Sequence, residues 1–302
     1  MRSYPAVPRG ARVALVAPAG PLKMPADLDR AIANARAFGW EPVVGEHARS
    51  RHFYFAGTDD DRLADLNTAL RDDDVDAVWC LRGGYGAMRL LEGVDYDALR
   101  RHPKVVIGYS DISALHCAIA VRSGLTSIHG PTARTTLTPF SERSLRAAVT
   151  RSENPCGQAP SAQTVIGGRA RGRLVGGNLA LLMALHGTPF QPTYDGAILV
   201  LEDVNEAPYR VERMLLQLRL SGALQGCAGL AFGSFTNTGE TDDKTLGGDR
   251  SLNDVLREAA EHAGVPTICG IPMGHIADQW SLPLGEEAEL DADQRRLTVL
   301  TS

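Results

Sequence analysis

Three stretches of the chain set a reactive side chain on backbone able to hold it for chemistry. In Val105-Val106-Ile107-Gly108-Tyr109-Ser110-Asp111-Ile112-Ser113 an apolar run ends at Gly108 and an amphipathic helical pattern starts just past Ser110. The serine hydroxyl therefore falls on a strand-to-helix turn. A nucleophile gains twice there: free N–H groups of the first helical turn face a developing oxyanion, and Gly108 relieves crowding beside the serine. Only half of the G-x-S-x-G elbow is matched, because Ile112 stands where the second glycine would be. The competing reading makes Ser110 a plain helix cap.

The second stretch, Arg82-Gly83-Gly84-Tyr85-Gly86, follows the apolar run 77–81 and reaches the same sheet edge. Gly83 or Gly84 allows close backbone approach and can offer a second N–H to an oxyanion. As a phosphate loop it lacks the Lys and Ser/Thr of a P-loop and the order G-x-G-x-x-G; a simple tight turn is the other alternative. The third stretch, Ala197-Ile198-Leu199-Val200-Leu201-Glu202-Asp203, ends an apolar strand in two acids, a costly place for charge without a partner. Strand alternation sends Glu202 and Asp203 to opposite faces, so only one can orient a base.

Of the eight histidines, His47, His52 and His102 fall in polar connections and His262 at a polar helix end, all expected in solvent. His116 lies inside the helix after Ser110 and His186 ends another. His129, closing a strand in Ile128-His129-Gly130-Pro131, and His275, in Gly270-Ile271-Pro272-Met273-Gly274-His275, both fit a base, and chemistry alone does not separate them.

The elements that must position these groups alternate strand and helix through the first half. Strands are expected at 12–17, 77–81, 105–108 and 126–129. Helical spacing joins Leu28, Ile32, Ala35 and Phe38, and a helix capped by Thr58 carries Leu63, Leu66 and Leu70. This order predicts an α/β fold with a Rossmann- or flavodoxin-like parallel sheet over 1–150, whose ligands bind beyond the carboxyl ends of the strands. Residues 151–168, rich in turn formers, read as a linker. Residues 169–302 read as a smaller β-rich domain, a mixed sheet or partial barrel, with a polar surface loop at 236–250.

With 302 residues, 44% hydrophobic and 22% charged, the chain has ample material for a core. A net charge of -5 gives no electrostatic reason for a nucleic-acid or membrane partner. No secretory leader or membrane span is expected. The five cysteines are odd in number and none has C-x-x-C spacing, and Asp72-Asp73-Asp74 reads as a solvated turn. Neither a zinc knuckle, another metal site nor a disulfide framework is suggested, and a reducing, cytoplasmic setting fits.

In this order, R-G-G-Y-G, G-Y-S-D-I-S, Gly176-Gly177-Asn178-Leu179, L-E-D-V-N-E-A-P-Y-R-V-E-R-M-L and G-H-I-A-D together resemble the LD-carboxypeptidases, the muramoyltetrapeptide carboxypeptidases. The resemblance covers nearly the whole chain. It implies a serine peptidase with Ser110 as nucleophile, Glu202 as orienting acid and His275 as base. The backbone N–H groups of Asp111 and Gly84 would form the oxyanion hole, with Gly83, Tyr85 and Asn178 near the substrate. It also implies a homodimer that releases terminal D-Ala from murein tetrapeptides, without a cofactor. A related hydrolase inactivating peptide-nucleotide antibiotics, of the microcin C immunity type, would need an aromatic platform, for which Trp280 is the candidate. A non-catalytic binding module would leave Glu202 and His275 without a common purpose.

Overall fold

Short apolar runs separated by single helices force parallel crossovers in the first part of the chain. The strands β1 (Arg12–Val16), β2 (Glu41–Val44), β3 (Ala77–Cys80), β4 (Val105–Gly108) and β5 (Ser127–His129) pair in parallel, with β3 and β4 central. Helices α1 (Pro25–Ala37), α2 (Asp59–Arg71), α3 (Tyr96–Arg101) and α4 (Ser113–Ser123) connect them. At the start of α2, Thr58 Oγ1 accepts from Asp61 N–H while the Asp61 carboxylate accepts from Thr58 N–H, a reciprocal cap. This computed structural model describes residues 1–238 and 250–300. Most of the loop expected at 236–250 thus lies outside the described residues.

The rest of the chain comprises α5 (Pro139–Thr150), β6 (Gln163–Ile166), β7 (Arg169–Asn178), α6 (Leu179–Leu185), β8 (Ile198–Val204), α7 (Pro208–Leu220), α8 (Ala223–Gly226), β9 (Gly229–Thr236), α9 (Leu252–Ala263), β10 (Thr267–Cys269), β11 (Leu282–Leu284), β12 (Glu287–Asp291) and β13 (Arg296–Val299). Its seven-stranded sheet runs β13-β12-β7-β8-β9-β10-β6, parallel from β7 to β10 and antiparallel at both flanks. The fold is therefore α/β with a parallel-sheet first part and a curled mixed sheet in the second.

Two features cut across the boundaries read from composition. The stretch 151–168 holds a paired strand, β6, and its earlier part bonds to the opposite edge: Ala159 N–H donates to Arg295 O at 2.8 Å and Leu297 N–H to Gly157 O at 3.0 Å. It straps the two edges of the curled sheet and is not a free linker. In addition β11, from the second half, pairs antiparallel with β5 and completes a first sheet of order β11-β5-β4-β3-β1-β2.

Seven consecutive residues of α4, from Ser113 to Ile119, are buried, as expected of a helix covered on all sides. It packs on α6, and one core runs from Val78 and Leu115 to Leu182, Leu199 and Phe232. The start of α4 is thus fixed from both halves.

Candidate active site

Ser110 opens a 3-10 turn, Ser110–Ile112, that runs into α4, with φ of 65°. A non-glycine residue in this left-handed region is held there by its surroundings, at a cost of about 1–3 kcal/mol. Gly108 explains how the turn does without a second glycine: a Cβ at 108 would lie 3.0 Å from Ile112 Cγ2 and 3.2 Å from Cys80 Cβ. Ile112 folds back into that vacated space.

His275 joins the serine to an acid from the other sheet. Its Nε2 lies 3.0 Å from Ser110 Oγ and its Nδ1 2.8 Å from Glu202 Oε2. A carboxylate only accepts, so Nδ1 carries the proton and Nε2 accepts from the serine hydroxyl. Glu202 sits on β8 with no exposure, and its other oxygen, Oε1, has no partner among the described residues. Gly274 makes the approach possible: its φ is 113°, and a Cβ there would stand 2.8 Å from Glu202 Oε2. Strand alternation sends the neighbouring Asp203 to the other face. Its carboxylate accepts from Asn178 Nδ2 at 2.9 Å and from Ala180 N–H at 2.8 Å. Burial, first of all, raises the Asp203 carboxyl to about 6.

The Gly-rich loop lies against the serine. A Cβ on Gly83 would meet Ser110 Cβ and Tyr109 O at 3.0 Å, while Gly84, at φ 117°, backs onto Gly20. Asp111 is the second residue of the 3-10 turn, where a backbone N–H has no partner inside the turn. Its side chain has a task that the motif did not announce. Asp111 Oδ2 accepts from Ala87 N–H at 2.8 Å, tying the loop to the nucleophile turn. Burial raises this carboxyl, opposed by that hydrogen bond and by Arg62. An acid in the first turn of an otherwise apolar helix was the available signal, since a buried carboxylate needs a donor.

Other candidates are placed differently. His129 is fully buried at the end of β5 with neither ring nitrogen partnered among the described residues, and burial, then His116 and His275, push it down to about 3. The two possible bases are thus separated by geometry, and His275 is the one that reaches Ser110. Asn178, expected near the substrate, is 3% exposed; it caps α6 by accepting from Leu181 N–H, and its own N–H donates to Ser113 Oγ at 2.9 Å. It pins the second sheet to the nucleophile helix instead of facing a ligand. Tyr85 is open to solvent, its ring 5.6 Å from that of Tyr54. Trp280 is packed in the core among Ile271, Met273 and Leu282, so it offers no platform for a base. Among the described residues, no three His, Cys, Asp or Glu side chains gather as a metal set, and no helix is long and apolar enough to cross a membrane.

A serine on a left-handed turn, bonded through histidine to a buried carboxylate on an α/β scaffold, marks the chain as a serine-type hydrolase. Residues 13–130 match the model of the LD-carboxypeptidase N-terminal domain, and residues 171–290 that of the LD-carboxypeptidase C-terminal domain. The chain belongs to the LD-carboxypeptidase family. It is 37% identical over 303 residues to the murein tetrapeptide carboxypeptidase of Pseudomonas aeruginosa, covering 96% of each chain. The crystal structure of muramoyltetrapeptide carboxypeptidase from Oxalobacter formigenes superposes with a TM-score of 0.84 at 31% identity, covering 96% of this chain and 98% of that one. The structure of the microcin C7 self-immunity protein MccF, known from Escherichia coli, in complex with glutamyl sulfamoyl guanosine is similar in fold. It superposes with a TM-score of 0.88 at 23% identity over 99% of this chain and 98% of that one.

Proposed function

We propose that this enzyme removes the terminal D-Ala from murein tetrapeptides by acyl transfer to Ser110. The reading rests above all on the two hydrogen bonds of His275, 3.0 Å to Ser110 Oγ and 2.8 Å to Glu202 Oε2. His275 Nε2 takes the serine proton as Oγ attacks the carbonyl between the L-centre of the diamino acid and D-Ala. Glu202 holds the tautomer and stabilises the imidazolium, and the N–H groups of Gly84 and Asp111 take the oxyanion. The imidazolium then returns its proton to the leaving amine. Water, deprotonated by the same nitrogen, releases the tripeptide from the serine.

The family resemblance adds a homodimer, which sedimentation or light scattering would test, and a cytoplasmic setting. The second fits thiols with no disulfide between them, three of them (Cys80, Cys117 and Cys227) buried. The deciding experiment incubates the protein with a murein tetrapeptide and with its all-L analogue and reads the products by mass spectrometry. Loss of D-Ala from the first alone is expected; a folded protein that cuts neither refutes the proposal.

A further inference from the structure

A hydrolase that removes a single terminal residue has to recognise the carboxylate that ends the chain, and nothing in the serine, histidine and glutamate does so. Two arginines at the carboxyl edge of the first sheet fit that need. Arg82 directly precedes Gly83, the residue packed on Ser110. Its guanidinium lies over the same loop, since a Cβ on Gly84 would be 3.5 Å from Arg82 Cζ and one on Gly20 2.7 Å from Arg82 Nη1. Arg82 Nη1 donates to Pro21 O at 2.7 Å, which fixes its direction. Among the described residues no carboxylate comes within 4.0 Å of it.

Arg134 arrives from the loop after β5, which is laid along the end of β3 by the bond from Ala133 N–H to Cys80 O at 2.9 Å. Its Nε is buried without a partner among the described residues. Its ion-pair partner is Asp27, at 3.8 Å, and that carboxylate also faces Arg30 at 3.4 Å and accepts from Lys23 and Met24 N–H groups, each at 3.1 Å. One acid therefore serves several donors, and positive charge is left over beside the nucleophile turn. The local electrostatics agree. Burial holds Arg82 below its ordinary value, with Arg134 and Arg51 pushing the same way and Asp27 opposing. The Arg134 charge is also felt at Tyr109, the residue before the serine, where it opposes the rise caused by burial.

We propose that Arg82 and Arg134 form the subsite for the terminal carboxylate of the peptide substrate. The inference rests on the carboxypeptidase reading. A leaving group of one residue puts its carboxylate about 4 Å, one residue spacing, beyond the scissile carbonyl. Arg82 stands on the loop whose next residue, Gly83, packs on Ser110, and its guanidinium lies against Gly84 and Gly20 of that same rim. A planar guanidinium matches a carboxylate in a way a point charge does not, and a second cation beside it keeps the site selective for anions.

The test separates binding from cleavage. Calorimetry on S110A protein gives Kd for a murein tetrapeptide and for the same peptide ending in D-Ala amide, with R82Q or R134Q added in turn. The acid is expected to bind about 10- to 100-fold more tightly than the amide, as for hydrogen bonds to a charged group. That ratio falls toward one in both double variants while the amide's own Kd stays unchanged, and R134K restores part of it. An unchanged ratio in the double variants overturns the proposal, as does equal or undetectable binding of the two peptides by S110A protein. If R82Q fails to fold because its bond to Pro21 is structural, R134Q decides. An acid-over-amide preference in S110A, together with no D-Ala release by the unmodified protein, keeps the subsite and refutes the peptidase reading.

Discussion

Replacing Glu202 with glutamine removes one charge and almost no volume from a position with no solvent exposure. During attack His275 becomes an imidazolium whose Nδ1 lies 2.8 Å from Glu202 Oε2. With charge centres about 4 Å apart and an effective dielectric of about 20, the pair is worth about 4 kcal/mol. At 1.36 kcal/mol per decade this corresponds to a fall of about 10³-fold in kcat. The glutamine cannot recover the loss by turning over. With its oxygen toward Nδ1, its NH2 occupies the place of Oε1, where no partner waits; with its NH2 toward Nδ1, the histidine is driven to the wrong tautomer. Stability should move little, because a buried carboxylate oxygen without a donor is exchanged for a neutral group. The assay is D-Ala release under saturating tetrapeptide, with thermal melts of both proteins alongside. An E202Q enzyme that folds and keeps kcat within tenfold of the original would refute the assignment of Glu202.

Two further outcomes are expected. In G83A the new methyl would stand 3.0 Å from Ser110 Cβ and 3.3 Å from Oγ, so the nucleophile must shift; kcat should drop about 100-fold, as for a misplacement near 1 Å. A G83A enzyme with unchanged turnover would show that the loop gives way. Stability should also fall on acidification from pH 7 to pH 5, because burial holds His116 near 4 and His129 near 3 whereas both would titrate at 6.5 in the unfolded chain. The unfolded chain then takes up protons that the native state refuses, a loss of about 2 kcal/mol per histidine at pH 5. Asp203, raised to about 6, works oppositely: its ionisation costs the native state as pH rises through 6, so acidification returns about 1 kcal/mol. Urea midpoints of H129Q should show about half of the histidine effect, and an undiminished pH slope would contradict this account.

Much of the site was legible because each of its groups stands at the end of an apolar run. Gly108, Leu201 and Leu81 mark where the apolar runs stop, and Ser110, Glu202 and Gly83 follow within two residues. What stayed hidden depended on contacts distant in sequence. His129 and His275 both follow apolar segments, and only the pairing of β11 on β5 buries the first while leading the second to the serine. Asn178 sits beside a Gly-Gly pair that reads like a ligand loop, yet Asp203, 25 residues later, and Ser113, 65 residues earlier, claim its polar groups. The turn formers of 151–168 suggested a linker because local composition says nothing of β10 and β13, which lie more than 100 residues further on. Arg82 and Arg134 were equally unreadable as a pair until β3 and β5 were seen sharing one edge.

His275 hangs on a connector whose ends belong to different sheets: it leaves β10 in the second and enters β11 in the first. Any swing of one sheet against the other would pull this strap from both ends and part the imidazole from the hydroxyl. The geometry therefore suits an enzyme whose catalytic groups remain assembled between turnovers. It also means that the halves are not interchangeable parts. A second half cut free at the apparent boundary would carry away the edge strand of the first, leaving the serine's own sheet with an unpaired margin on β5.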